Sequence, residues 1–448
     1  TGHFHEWMGG SSIPDLRKDK VNMKMVFTTH ATILGRYLAM NNPTFYNHLP
    51  FFEWEEESKR CGIETLAKFE RAAAQQCDIF TTVSDVTARE CEFLLGRKPD
   101  VVLPNGINIK KFDVQHEVQV IHQEYKEEIH EFVMGHFFQS YSFNLDKTLY
   151  FFTSGRYEYV NKGFDLTLQA LELLNERMKK AGSEMTVVVF FITNKEVHSI
   201  NADALQTRGV MEEIKQTCDV IIRQVRDQLF FSTAANAQYY LPNLNDMVDD
   251  YWKLRLRRTI QSWKTDELPP VVTHDLVNSE NDDILNYLAN SELKNRPEDR
   301  VKIVYHPQFI SPTNPLFGIE YSQFVRGCHL GIFPSYYEPW GYTPMECIAS
   351  GVPAITCDLS GFGEFVLRTI PNHENSGLYV VRRSKQTDRV SSEQMAEFFL
   401  TFIHSSRRSR ITMRNEVERV AENFDWKYLI SHYLKAYNMA SERIPKAV

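Results

Sequence analysis

Short apolar runs alternate with amphipathic stretches along this chain. Met25-Val26-Phe27-Thr28-Thr29-His30, Ile79-Phe80-Thr81-Thr82-Val83 and Val101-Val102-Leu103-Pro104 read as buried strands, each followed by a polar or glycine-containing loop. A second set of such runs lies at 148–153, 185–192, 301–305, 330–333 and 353–356. Strands that alternate with helical patterns imply parallel sheets with crossover helices. Two sets predict two doubly wound α/β domains, with ligands held in the crevice at the carboxyl ends of the strands. Between the sets, 113–144 is rich in His, Gln, Glu and Lys and reads as a solvated helix plus connector. A longer insertion, about 201–300, breaks the second domain. Within it Ile214, Cys218, Ile221, Val225 and Leu229 recur at steps of three and four, the face of one helix that packs on its own domain or on another subunit.

Composition narrows the class without changing this outline. The 448 residues are 43% hydrophobic and 24% charged, ordinary for a soluble globular protein and long enough for two or three domains. A net charge of −8 lacks the electrostatic footprint of a nucleic-acid or acidic-membrane binder. No apolar run approaches the roughly 20 residues needed to span a bilayer. Seven cysteines, an odd number without a C-x-x-C pair, argue for a reducing compartment and against a disulfide frame or a zinc site. The expectation is a cytoplasmic protein with no metal, no cofactor, no membrane partner and no nucleic acid.

The chemistry concentrates in Tyr336-Tyr337-Glu338-Pro339-Trp340-Gly341-Tyr342-Thr343-Pro344-Met345-Glu346-Cys347. Gly331-Ile332-Phe333-Pro334-Ser335 before it reads as the end of a buried strand, and Cys347-Ile348-Ala349-Ser350-Gly351 as a short helix stopped by glycine. The first amides of a helix have no internal partners and point outward, so strand, turn and helix start form an anion-binding arrangement. Glu338 precedes those amides and Glu346 lies just inside the helix. A site for both a phosphate and a polyhydroxylated ring wants this layout, and sugar nucleotides contain both. Other loops after strands carry cations or small polar groups: Thr28 to Arg36 with His30, Pro104-Asn105-Gly106, and Gly155-Arg156-Tyr157-Glu158 leading to Asn161-Lys162-Gly163. Arg156 and Lys162 suit a diphosphate, since arginine matches oxygen pairs and lysine acts as a point charge. One such cation about 4 Å from a phosphate oxygen is worth roughly 4 kcal/mol at an effective dielectric near 20. Singly, each of these residues is an ordinary surface charge or turn residue; the joint pattern carries the reading.

These segments resemble eukaryotic-type glycogen (starch) synthase, a retaining glucosyltransferase of the GT-B architecture, in which two Rossmann-like domains face each other. The resemblance runs almost end to end. It is carried by His3-Phe4-His5-Glu6-Trp7, by Phe27 to Arg36, by Phe80-Thr81-Thr82-Val83-Ser84, and by Lys98-Pro99-Asp100 with Pro104-Asn105-Gly106. It continues through 143–152, 155–163, Phe324-Val325-Arg326-Gly327-Cys328-His329-Leu330-Gly331, the Glu338 run, Leu359-Ser360-Gly361-Phe362-Gly363 and Asp425-Trp426-Lys427-Tyr428. The resemblance implies a partial N-terminal Rossmann-like domain over 1–145 with a regulatory helix at 113–144. A UDP-glucose-binding domain follows over 146–424, with a helical insertion near 201–300 and an arginine-rich regulatory helix near 396–422, then a C-terminal helix over 425–448. UDP-glucose is then the donor, with uracil on Tyr321, the ribose hydroxyls on Glu346, and Asn105 also at the substrate. The amides of Gly341, Tyr342 and Thr343, with Arg36, Arg156 and Lys162, neutralise the pyrophosphate. Glu338 and His30 sit beside the glucose, and the acceptor is the non-reducing 4-hydroxyl of an α-1,4-glucan. The family's first domain begins before Thr1 and includes a Lys-x-Gly-Gly loop that this sequence lacks, so either an N-terminally truncated chain or a protein that has lost part of its donor site is expected, with unpaired strand edges in the first domain.

A regulatory site is implied as well. Arg407, Arg408, Arg410, Arg414 and Arg419 cluster in one predicted helix, with Arg407, Arg410 and Arg414 on one face. By itself this is a solvated basic surface. The resemblance makes it a glucose 6-phosphate sensor: Arg410 and Arg414 grip the phosphate, and His116, Gln119, His122, Lys126 and His329 complete the pocket. Glu416 departs from the family, which has another arginine there. A homotetramer built through the inserted helices and a glycogenin-like primer protein are further implied partners. Two other readings stand beside this one: a different nucleotide-sugar transferase of the same architecture, and a non-catalytic binding or regulatory subunit.

Overall fold

A computed structural model describes residues 1–112, 117–235 and 243–443. Among the described residues the first strand set forms a parallel sheet of β1 (Gly2–His5), β2 (Met25–Thr29), β3 (Ile79–Thr82) and β4 (Val101–Val102), in that order across the sheet. The chain continues through β5 (Thr148–Ser154), β6 (Thr186–Ile192), the antiparallel pair β7 (Val197–Ile200) and β8 (His274–Leu276), β9 (Val301–His306), β10 (Leu330–Ile332), β11 (Ala354–Cys357) and β12 (Leu378–Val381). Six of these strands make a second parallel sheet in the order β12-β11-β10-β5-β6-β9. The runs expected as strands are all strands. β1, β7, β8 and β12 are additional: β1 is a four-residue edge strand with two histidines and only partial burial, β7 and β8 are a short antiparallel pair, and β12 is just four residues long.

Alternation along β5 and β6 divides the second core into two layers. Leu149, Phe151, Val187, Val189 and Phe191 pack with Leu171, Leu174, Phe399 and Phe402 from the helices Phe164–Lys180 and Asp388–His404. Tyr150, Phe152, Val188, Phe190 and Ile192 face the other way, onto Ile129, Phe132, Phe324, Ile348 and Val417. Both faces of a parallel sheet are covered in this architecture, so these strands are buried throughout, with continuous apolar stretches at Leu149–Phe152 and Val187–Ile192. The sheet order reverses between β5 and β10, and the loops after these two strands leave the sheet side by side at its carboxyl edge. Such a reversal opens a crevice where ligands bind.

Two expectations change. The 113–144 segment is not a solvated helix: Val118–Phe138 buries Ile129, Phe132, Val133 and Phe137 in the second core, and Phe132 stacks on Phe317 at 4.3 Å. Its apolar positions are interspersed with histidine, glutamate and lysine, which hid the buried stripe. The arginine-rich segment is two helices, Asp388–His404 and Arg407–Ala421, parted at Ser405 and Ser406, where the Ser406 hydroxyl accepts from the Ser409 amide at 3.1 Å. In the insertion, Ala202–Ala235 and Asp250–Trp263 pack on one another. The predicted face of Ile214, Cys218, Ile221, Val225 and Leu229 is half-buried, while Ile222, Phe230 and Phe231 are exposed, the last two by 69% and 70%.

The C-terminal helix Trp426–Glu442 returns to the first sheet, where Ala436 and Ala440 pack with Val26, Ile79, Val101 and Leu103. The chain therefore passes between the two sheets twice, and the passages touch. The Ile107 amide donates to the Phe424 carbonyl at 3.0 Å and the Trp426 amide to the Ile107 carbonyl at 3.2 Å. A carboxylate in place of buried Ala436 would leave an uncompensated charge under the helix. Ala436→Asp is expected to cost roughly 3–5 kcal/mol, read as a lower thermal midpoint, and an unchanged midpoint would show that the helix is not docked there. Among the described residues no helix is long and apolar enough to cross a membrane.

Candidate functional site

The loop after β5 is pinned to the loop after β10 by a glycine. Gly163 has φ 70° and begins the helix Phe164–Lys180; a Cβ there would lie 2.4 Å from the Pro334 carbonyl oxygen. Only glycine combines the left-handed backbone with so close an approach. That contact brings Lys162 to the second loop, where its Nζ lies 2.5 Å from Oε2 of Glu338. The two side chains are 18% and 25% exposed, at the wall of the crevice rather than in the core. Ser154, Ser335, Thr343, Thr356 and Ser360 line the same small cavity.

Gly341, with φ 115°, turns the chain into the helix Tyr342–Ala349, so the unpaired amides of that helix start beside Thr343. Glu346 follows in its second turn, its carboxyl raised by partial burial. Tyr321 opens the helix Tyr321–Gly327, and its hydroxyl shares a 2.5 Å hydrogen bond with Ser154 at the end of β5. Burial raises the Tyr321 phenol, and the neighbouring charge of Glu346 raises it further.

His30 follows β2 on the other sheet. Its Nε2 lies 3.0 Å from Nδ1 of His5, and its amide donates to Glu6 Oε1 at 3.0 Å. His5 stacks on His3 at 4.1 Å, and His3 bonds to Thr28 at 2.6 Å and to the Tyr437 hydroxyl at 2.9 Å. Burial, reinforced by His5, brings the His30 imidazole down to about 4, so it is neutral near pH 7. Arg36, exposed on the helix Ile33–Asn41, acts electrostatically on Glu6, Glu90 and Tyr337, the residue before Glu338. Hence Lys162, Glu338 and Thr343 share a cavity, and Arg36 faces the same loop from the first sheet.

Of the expected site residues, Lys162, Glu338 and Thr343 line that cavity; His30, Arg36, Tyr321, Gly341, Tyr342 and Glu346 stand outside its lining, and Arg156 and Asn105 are held elsewhere. Arg156 is 71% exposed and pairs with Glu158 at 3.0 Å, a partner only two residues away that draws the guanidinium to the surface. Asn105 is buried after β4, next to the segment where Ile107 meets Phe424 and Trp426. Residues given no site role in the sequence also meet the site. His5 and Glu6 stand in the His3-to-Trp7 motif, whereas Glu90, the single glutamate of the helix Asp85–Glu90, falls in no motif.

The regulatory residues form a second cluster, on the face of the second sheet covered by Val118–Phe138. Arg414 is buried and donates to the Cys328 carbonyl, to the Gly351 carbonyl at 3.2 Å and toward His122 Nδ1 at 2.8 Å. His122 meets His329 edge-on at 4.9 Å, and His329 Nδ1 accepts from the Tyr150 amide at 3.0 Å. Gln119 reaches Asn415 at 3.1 Å, and Arg410 donates to the carbonyls of Ser405 and, at 3.4 Å, Ile403. Burial and mutual repulsion hold Lys126, His122 and His329 below their usual values, and burial brings Arg414 down to about 10. Arg407 adds to that repulsion. An anion relieves such a cluster. His116 lies outside the described residues. Glu416 holds Arg419 at 2.7 Å, away from the cluster.

Residues 1–447 match the sequence model of the glycogen synthase family. The chain belongs to that family. It is 46% identical over 443 residues to a glycogen [starch] synthase of Neurospora crassa, covering 98% of this chain and 63% of that protein. Isoform 1 of the Saccharomyces cerevisiae enzyme is 42% identical over 452 residues, with 99% and 64% covered. The Caenorhabditis elegans enzyme is 41% identical over 448 residues, with 99% and 66% covered. The chain thus spans less than two thirds of the length of these family members. Among solved structures, a UDP-forming trehalose-phosphate synthase from Burkholderia xenovorans aligns with a TM-score of 0.50 at 11% identity, over 98% of this chain and 74% of that one. That likeness concerns fold alone, and it agrees with the GT-B arrangement of two Rossmann-like units expected of the family.

Proposed function

We propose that the protein transfers glucose from UDP-glucose to the non-reducing 4-hydroxyl of an α-1,4-glucan with retention, and that glucose 6-phosphate activates it. The Lys162–Glu338 pair at the reversal of the second sheet carries the reading. Breaking the bond from glucose C1 to the diphosphate creates an anion and a cationic sugar together. An ammonium and a carboxylate 2.5 Å apart are already arranged for that separation, the ammonium toward the leaving phosphate and the carboxylate toward the sugar. The amides at Gly341 to Thr343, with Arg36, add donors for the phosphates, Glu346 takes the ribose hydroxyls, and Tyr321 offers an aromatic face to uracil. Neutral His30, oriented by His5, hydrogen-bonds a sugar hydroxyl. Because Lys162 occupies the Glu338 carboxylate, attack on the front face, with the leaving phosphate taking the acceptor's proton, is favoured over a covalent glucosyl-Glu338 intermediate. Trapping a glucosyl ester on Glu338 would overturn that choice.

The cation cluster around Arg414 supports binding of a sugar phosphate away from the transfer site. The exposed apolar residues of the inserted helices support assembly of a tetramer, and all seven cysteines are free, as suits the cytoplasm. A glycogenin-like primer protein is the partner carried over from the family. The test is transfer of labelled glucose from UDP-glucose to glycogen, with and without millimolar glucose 6-phosphate. Transfer that rises with the sugar phosphate is expected, and no transfer in either condition would sink the reading. Arg410→Ala should abolish the response to glucose 6-phosphate and leave basal transfer near normal. A full response in that variant would remove Arg410 from the sensor.

A further inference from the structure

Glu90 is fully buried at the end of the helix Asp85–Glu90, where the chain passes into a π-helical turn over Cys91–Leu95. Single π-turns within helices recur at functional sites. A lone buried carboxylate is costly unless hydrogen bonds replace its water, and this one accepts three from hydroxyl groups on separate segments. Oε2 receives Thr32 at 2.7 Å and Tyr337 at 3.2 Å, and Oε1 receives Tyr46 at 3.1 Å. Thr32 caps the helix that carries Arg36; its hydroxyl also accepts from the Gly35 amide at 3.2 Å. Gly35 must be a glycine for Glu90 to close, since a Cβ there would stand 2.5 Å from Oε2.

Thr32 and Tyr46 belong to the first Rossmann-like unit, but Tyr337 belongs to the second and directly precedes Glu338. The contact is extended by the Tyr46 amide, which donates to the Tyr336 hydroxyl at 3.4 Å, and by the Tyr46 and Tyr337 rings, which stack at 6.4 Å. Burial pushes the Glu90 carboxyl up to about 7 despite the three donors and the charge of Arg36.

We propose that Glu90 is a positioning residue for glucosyl transfer: by clasping the Tyr337 hydroxyl against Thr32 and Tyr46, it joins the two units and sets the loop that presents Glu338. The proposal rests on the function proposed above. A group that merely stabilised the first unit would have no need of Tyr337. A carboxylate that sets the place of Glu338 acts on the transition state more than on donor affinity, since a displacement of about 1 Å can cost up to a hundredfold in rate.

The test compares wild type, Tyr337→Phe, Glu90→Gln and the double variant, through steady-state transfer from UDP-glucose to glycogen and through the radius of gyration from small-angle scattering. Tyr337→Phe removes one oxygen and keeps the ring, so folding is not at risk. Each single variant should lower kcat about tenfold or more with little change in donor KM. The double should be no slower than Glu90→Gln, because the two groups act as one contact. The radius of gyration should rise in all three. A wild type without transfer but with that rise in the variants would sink the proposed function and keep the clasp. The clasp is overturned if single-variant losses add in the double, if only donor KM changes, or if neither kcat nor the radius of gyration moves.

Discussion

Lys162→Ala is expected to lower glucosyl transfer about a thousandfold without unfolding the protein. An ammonium near 4 Å from a phosphate oxygen at an effective dielectric near 20 contributes roughly 4 kcal/mol, which is close to three decades in rate. The same change releases Glu338, whose carboxylate loses its 2.5 Å partner. Lys162 is partly exposed and among the described residues its ammonium bonds to Glu338 alone, so the thermal midpoint should hardly move. Glu338→Gln should be comparably slow, because the neutral amide cannot offset positive charge on the sugar. Steady-state rates with glycogen and UDP-glucose decide the matter, and near-normal turnover in either variant would remove the pair from the reaction.

A second large effect is expected at a residue that carries no side chain. Gly361 starts the helix Gly361–Thr369, and its amide donates to the Glu338 carbonyl at 3.0 Å. A Cβ on it would lie 2.1 Å from the Pro339 carbonyl oxygen and 2.5 Å from Cβ of Ser84 in the first unit. Neither neighbour is the loose end of a flexible side chain, so something structural has to move. Gly361→Ala should cost about 3 kcal/mol, at the upper end for overpacking. It should also slow turnover by more than the lost stability explains, because the Glu338 turn and the contact between units are displaced together. Matching melting curves and rates for wild type and variant would show that the approach is looser than it looks.

Much of the fold was legible because parallel strands buried on both faces carry continuous runs of apolar and β-branched residues. Thr186 to Ile192 is the clearest case: seven residues, five of them β-branched and two aromatic, all buried. The site was legible as a set of loops after strands, but its pairings were not. Lys162 and Glu338 are brought together only by the sheet order, which places β5 beside β10 although 176 residues separate the two side chains. Arg156 looked equivalent to Lys162 from its place in the loop, but it is taken by Glu158 two residues on. Burial of Val118–Phe138 escaped notice because its apolar stripe is interrupted by histidine, glutamate and lysine. Glu90 had no sequence signal, since what distinguishes it is the company of three hydroxyls from segments 44, 58 and 247 residues away.

Because the two passages between the sheets are laced side by side through Ile107, Phe424 and Trp426, neither can swing without carrying the other. A lone tether would let one half swivel in any direction, whereas a bonded pair bends along a single line, as a door turns on its hinge. Any opening of the crevice has to bend both passages together, and Gly106, pressed against the Trp426 ring, lies where they meet.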